Sequence, residues 1–279
     1  MQNYDYIVKY STYNFFIESI VYEECLLRKQ GMLYEARKKL ISEVIIIIKA
    51  KKISNNCKKA IFKNIILYVI SAIIFFLCSG SISVLRGWIY YILVISGAII
   101  NNYILLKYNP EVLNSRGEEG SNTKGWDKKI LGIYFLVHIF IISSISGLDV
   151  VRYEWSKLSN AYILLGILLY TISLFICTWA MVINKHFEGT VRVQTERNHM
   201  VISEGPYKYI RHPGNLGMVF ASFIQPLIIG SIYAFIPSIF VAIMVVIRTQ
   251  MEDKMLQKEL KGYKEYSQKV NSKLIPKIW

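Results

Sequence analysis

The sequence predicts an all-α integral membrane protein of about six transmembrane helices, the last two forming a hairpin. Three observations carry that expectation. Hydrophobic residues make up 53% of the 279-residue chain and the mean hydropathy is +0.35, more apolar than a soluble domain of this length. The apolar residues are gathered in runs long enough to cross a bilayer core, which takes roughly 20 residues of helix with every backbone polar group bonded internally. The basic residues that give a formal net charge of +14 lie in blocks between those runs. That placement fits anchoring to anionic lipid and argues against a nucleic-acid-binding stripe on a soluble fold.

The predicted spans are residues 61–83, 87–106, 130–148 and 160–183, followed by a closely spaced pair at 216–229 and 233–247. Gly230 and Ser231 break the pair while Pro226 and Pro237 bend it, so it reads as a helical hairpin. Lysine distribution then sets the orientation. Lys49, Lys51, Lys52, Lys58 and Lys59 precede the first span and Lys63 lies at its start, whereas the first turn offers only Arg86. The N-terminus is therefore expected in the cytoplasm, residues 107–129 and 185–211 inside, residues 149–157 outside, and the lysine-rich C-terminal tail inside.

The organisation expected is a cytosolic or interfacial helical extension over 1–60, an N-terminal helix pair over 61–106 and a membrane domain over 107–279. In the extension, Phe16, Ile17, Ile20 and Val21 recur at helical spacing, residues 35–39 favour helix, and the apolar run 44–48 is too short to span. A basic amphipathic helix lying on anionic lipid accounts for it. The opening MQNYDYIVKYSTYNFF has no basic start with a following apolar core and cleavage site, so the spans themselves are expected to direct insertion. Cys25, Cys57, Cys78 and Cys177 have neither metal-ligand spacing nor a disulfide pattern.

Polar residues that could carry chemistry cluster on either side of the hairpin. From Val193 the chain reads VQTERNHMVISEGPYKYIRHPGNLG, and after the hairpin VVIRTQMEDKMLQKELKGYKEYSQKV. Taken singly, each residue has a structural explanation. His212 and Pro213 suit a helix start with Arg211 reaching toward phosphates. Arg248 and Glu252, four apart, suit a helix-surface ion pair. Tyr207, Tyr263 and Tyr266 suit an interfacial aromatic belt. Against the ion-pair reading, a charge facing inward where a membrane helix emerges is a functional candidate.

Taken in order, Gln194, His199, Gly205-Pro206-Tyr207, Arg211-His212-Pro213, Gly217, Arg248 with Glu252, Gly262-Tyr263, Tyr266 and Leu274-Ile275-Pro276 resemble the isoprenylcysteine carboxyl methyltransferase family, itself similar to membrane phospholipid methyltransferases. Asn109-Pro110-Glu111 through Arg116, with Lys124-Gly125-Trp126-Asp127, resembles the family's bacterial branch, so the resemblance spans 109–279. It implies a cofactor cleft at the cytoplasmic face that binds S-adenosylmethionine through Gln194, His199, Met200, Val201, Ile202, Tyr207, His212, Pro213, Gly214, Asn215 and Glu252. It also implies that Arg248 faces the acceptor substrate. Where the family commonly has tyrosine two residues after the proline, this chain has Asn215.

The residue types suit that cofactor: a sulfonium, an ammonium and a carboxylate call for an acidic partner, amide and imidazole groups and a sheltering aromatic. A carboxylate acceptor needs no general base, and an apolar acceptor would enter from the bilayer rather than through water. The expected activity is carboxyl methylation of a prenyl or other lipophilic acceptor. The alternatives are N-methylation of a phospholipid or other amine, and a membrane scaffold or small transporter without enzymatic activity. An amine would need a proton acceptor, while Arg248 is better suited to a carboxylate. No catalytic acid, base or metal ligand is assigned and no nucleic-acid partner is expected. The isoleucine, lysine and asparagine bias fits a bacterial plasma membrane.

Overall fold

The computed structural model describes residues 54–117 and 123–279, whose regular elements are all helices with no strand among them. The expectations for residues 1–53 lie outside the described residues. Helix α1 is Asn55–Ser79 and α2 is Leu85–Tyr108. The short α3, Pro110–Gly117, precedes α4, Gly125–Arg152. After α5, Ala161–Ile183, come α6, Pro213–Ile229, α7, Phe235–Glu259, and the short α8, Tyr263–Lys269.

Five of these, α1, α2, α4, α5 and α7, are long and apolar enough to cross a membrane. Their outward faces carry side chains that water would not tolerate in such density, among them Phe62, Leu77, Ile99, Leu164, Leu168 and Phe175, each more than half exposed. The sixth helix, α6, has only 17 residues, about 25 Å of rise against a hydrocarbon core of about 30 Å. It can be short because it is enclosed: 12 of its 17 residues are buried. Packing on α5 is close enough that a Cβ on Gly166 would meet the Ile228 side chain, and one on Gly217 would collide with Cys177 Sγ. Small residues bring apolar helices together in this way where lipid supplies no solvent-driven attraction.

Several helix ends differ from those expected. The first begins at Asn55, six residues early, because Ser54 Oγ accepts the Cys57 N–H and caps it. It stops at Gly80, whose φ of 69° closes the C-terminus. Lys58, Lys59 and Lys63 are thus on the helix itself, where long stems let the ammonium groups reach the interface. Helix α4 runs from Gly125 rather than residue 130 and contains two π turns, Leu136–Ile141 and Leu148–Arg152. The hairpin's second arm extends well past residue 247, carrying Arg248, Glu252 and Asp253 as a continuation of the membrane helix. Pro237 lies in its first turn, where the missing N–H costs nothing.

Buried polar groups tie the bundle together. At mid-bundle, Ser71, Tyr91, Ser143 and Gln225 join α1, α2, α4 and α6: the Ser71 and Ser143 hydroxyls are 2.7 Å apart, and Gln225 Nε2 donates to Ser143 Oγ at 3.2 Å. At one end, Arg86 donates to Ile228 O at 2.6 Å, Leu158 O at 2.7 Å and Leu227 O at 3.1 Å, satisfying carbonyls at the C-terminus of α6. Asp149, fully buried there, accepts from Ser156 and Ser231 and so fastens the α4–α5 loop to the hairpin turn. The α5–α6 loop, α3 and the end of α7 gather at the opposite end of the bundle. With single cysteines in a cysteine-free background, the lysine pattern predicts that an impermeant maleimide added to intact cells labels a cysteine at exposed Lys157 but not one at exposed Lys264. Labelling at Lys264 alone would invert the topology.

Candidate functional site

At the end where α3, the α5–α6 loop and α7 meet, the chain encloses an open cavity of about 190 Å³. All twelve residues singled out in the sequence line it: Gln194, His199, Met200, Val201, Ile202, Tyr207, His212, Pro213, Gly214, Asn215, Arg248 and Glu252. They come from the 29-residue loop between α5 and α6, from the first turn of α6 and from the C-terminal part of α7.

The loop is held by its own polar groups. Gln194 is buried, with Nε2 donating to His186 O at 2.7 Å and Oε1 accepting from Arg197 at 2.9 Å, while its backbone N–H donates to His199 Nδ1 at 3.3 Å. His199 stacks on His186 with centroids 4.6 Å apart. Burial, then the neighbouring His186 and Arg197, lower the His199 pKa to about 4, so its imidazole is neutral and offers one acceptor and one donor. His186 is lowered too, chiefly by burial, and neither of its buried ring nitrogens has a partner. Arg192 is fastened to Glu188 at 2.7 and 2.8 Å and to Glu196 at 2.6 Å.

Tyr207 forms one wall, its hydroxyl accepting from Asn184 at 3.1 Å and its carbonyl accepting from the Tyr266 hydroxyl at 2.7 Å. Burial holds the phenol protonated, far above its ordinary range. The α6 N-terminus forms another wall, where Gly214 admits the Phe187 ring at a distance that a Cβ would block.

Arg248 and Glu252 face the cavity one helical turn apart, as the spacing predicted. Arg248 Nε donates to Asp127 at 2.7 Å, one terminal nitrogen to Asn215 Oδ1 at 2.7 Å and the other to Gly189 O at 3.2 Å. Asn215 Nδ2 donates in turn to Glu252 Oε2 at 2.8 Å. The asparagine standing where the family commonly has tyrosine is therefore a polar bridge that sets the spacing of a guanidinium and a carboxylate. Glu252 is 22% exposed at its side chain, and its Oε1 makes no bond among the described residues. The carboxylate is oriented on one side and open on the other.

Two carboxylates organise the site: Asp127, which belongs to the family resemblance but has no role assigned from the sequence, and Asp253, which the sequence does not single out. Asp127 accepts both Arg248 Nε and the Val191 N–H at 2.6 Å, joining α4 and the loop to α7. Asp253 accepts two bonds from Arg211, at 2.7 and 2.9 Å, one from the Tyr263 hydroxyl at 3.1 Å, one from Gln257 at 2.8 Å, and lies 3.1 Å from His212 Nε2. Arg211 continues to the carbonyls of Val270 at 2.6 Å and Asn271 at 2.9 Å. Its backbone N–H and that of His212 donate to Ser272 O and Lys273 O, both at 3.0 Å, so the C-terminal segment is strapped across the α6 entrance. His186 was also missed; a lone histidine just past a span carries no signal in spacing.

A second cavity, of about 260 Å³, lies among α1, α2, α4, α5 and α6. Its walls are largely apolar with tyrosines Tyr68, Tyr90, Tyr134 and Tyr170, and one wall is Phe135, which is 42% exposed on the lipid-facing surface. The two cavities share Arg116, Cys177, Met181 and Met218.

Residues 163–258 match the model described as the isoprenylcysteine carboxyl methyltransferase (ICMT) family. The matched stretch runs from early α5 through nearly all of α7 and contains all twelve of the singled-out residues. No curated protein gives a significant match. The match and the apolar helices agree with the family resemblance read from the residues and point to a membrane methyltransferase.

The geometry predicts that Asp253→Ala, which leaves the buried Arg211 guanidinium without its carboxylate, costs about 3 kcal/mol or more. Denaturant unfolding of the purified protein in detergent measures it. A change below about 1 kcal/mol would remove Asp253 from its organising role.

Proposed function

We propose that the chain is an S-adenosylmethionine-dependent methyltransferase that methylates the carboxylate of a prenyl or other lipophilic acceptor. The observation that carries this reading is the junction of the two cavities: a polar one lined by residues suited to a charged soluble cofactor adjoins an apolar one inside the bundle. Soluble and lipid-borne reactants can then meet without either crossing the other's solvent.

The lining suits the cofactor. Glu252 presents a free Oε1 to a cationic group, neutral His199 adds a hydrogen-bonding edge, and Tyr207 supplies an aromatic face. When bound, the cofactor supplies an electrophilic methyl on a sulfonium sulfur, whose C–S bond breaks as the methyl joins an acceptor oxygen, with no proton to move.

The chain's own residues then have to align and shelter. Arg248 is pinned by Asp127, Asn215 and Gly189 and makes a longer bond to Glu252, which leaves one hydrogen on its Gly189-bound nitrogen free. A single donor of this kind orients one oxygen of an acid while the other keeps its lone pairs for attack. Fixing that geometry in advance converts a two-body encounter into a positioned one. Because a cation and an anion both vanish on transfer, enclosure by the loop and the apolar cavity favours the product-like state over the separated charges.

Calorimetry on the purified protein is expected to detect S-adenosylmethionine binding, with Glu252→Ala weakening it about tenfold or more. No binding by folded wild type would end the enzyme reading and leave a scaffold. Arg248→Lys keeps a charge but loses the planar fork, and is expected to lower turnover about tenfold or more while cofactor affinity changes little. The assay uses methyl-labelled cofactor and a membrane-lipid extract with mass spectrometry of the product. Label released as methanol by mild base identifies an ester; label that resists base and sits on nitrogen would replace this proposal with amine methylation.

A further inference from the structure

We infer that Arg116 anchors the anionic group of the acceptor where the two cavities join. The inference rests on the proposed reading of the polar cavity as the cofactor site and assigns to the acceptor a contact of its own.

Arg116 is on the last turn of α3, outside the stretch matched to the family, and lines both cavities. Its surroundings distinguish it from other arginines of the bundle. Arg86 is spent on three carbonyls, Arg192 on two glutamates, Arg211 on Asp253 and two carbonyls, and Arg248 on Asp127, Asn215 and Gly189. Arg116 has no ion pair and no hydrogen bond among the described residues, and its buried Nε has no acceptor. Its guanidinium is over the Phe187 ring at 5.2 Å, which fixes its plane without neutralising it. The anionic side chain that acts on it is Glu188, whose two oxygens are already held by Arg192 at 2.7 and 2.8 Å.

A sheltered guanidinium without a counter-charge is costly unless something it binds supplies one. The geometry of its environment says what that is. On one side is the polar cavity with Arg248 and Glu252, and on the other the cavity among the five helices, bounded near the junction by Cys177, Met181 and Met218. A small soluble anion would use only the first. An amphiphile with an acid head and an apolar body fits both: its head pairs with Arg116 and its body lies between Tyr68, Tyr134 and Tyr170. Arg116 would then set where the acid stops, and Arg248 which oxygen faces the methyl.

The test uses the full chain in lipid nanodiscs and a saturated C16 carboxylic acid bearing a mid-chain diazirine, with the C16 alcohol analogue as control. After illumination, labelled peptides are mapped by mass spectrometry, and calorimetry with S-adenosylmethionine is run on the wild type. The acid is expected to label peptides containing Tyr68, Tyr134 or Tyr170, to be displaced by excess unlabelled acid, and to do so about tenfold better than the alcohol. Arg116→Gln should lose that preference and Arg116→Lys should keep most of it, with thermal midpoints confirming that both variants fold. Equal labelling of the inner peptides in Arg116→Gln, or labelling confined to lipid-facing peptides such as those with Phe62 or Leu164, overturns the inference. Wild-type protein that takes the acid through Arg116 but binds no S-adenosylmethionine would sink the methyltransferase reading and leave the anion site standing.

Discussion

The Asp253 carboxylate is the constraint on which the site's shape depends. It is almost wholly buried on α7, and its charge is tolerable there only because Arg211 meets it with two hydrogen bonds while Tyr263 and Gln257 supply two more. Through Arg211 the same charge fixes the strap at 270–273, and through His212 it fixes the entrance to α6. Three chain segments remote in sequence are thus bound to one carboxyl group. The neighbouring Glu252 is held through Oε2 alone, and its other oxygen is left without structural duties among the described residues. Adjacent acidic residues on one helix have separate tasks because they point about 100° apart around the helix axis.

A similar division holds for Arg248. Asp127 and Gly189 bear on it from one side and Asn215 from another, so its position is determined by α4, the loop and α6 together. Its contact with Glu252 stays long, 3.5 Å to Oε2, because Asp127 holds Nε at 2.7 Å and Asn215 stands between the two groups. The apolar bundle below contributes by being close-packed at α5 and α6, which keeps the first turn of α6 in register with the loop that precedes it.

The spans were legible because a bilayer demands a length of apolar helix that composition alone reveals, and the lining of the polar cavity because its residues recur in a fixed order. Helix ends were less so. Lys58 and Lys59 fall in the extension expected before the first span, yet Ser54 caps a membrane helix that includes both. The π turns of α4 have no breaker residue to announce them. Asp127 and Asp253 resemble surface acids in the sequence, since each is followed directly by lysine; only the packing of distant arginines makes them central. Asn215 read as a loss relative to the family's tyrosine and proved to be a bridge, because a side-chain amide can donate to Glu252 and accept from Arg248 at once.

The cavity draws its walls from Arg116 on α3 to Tyr266 on α8, and its fastening from the strap beyond. The contacts that join those walls are long-range, and closing them requires every intervening helix to be already inserted. During biogenesis the apolar bundle can therefore settle in the bilayer well before any binding surface exists, and a chain stalled before residue 253 carries Arg211 with nothing to neutralise it. Closure of this cavity therefore comes at the end of membrane insertion.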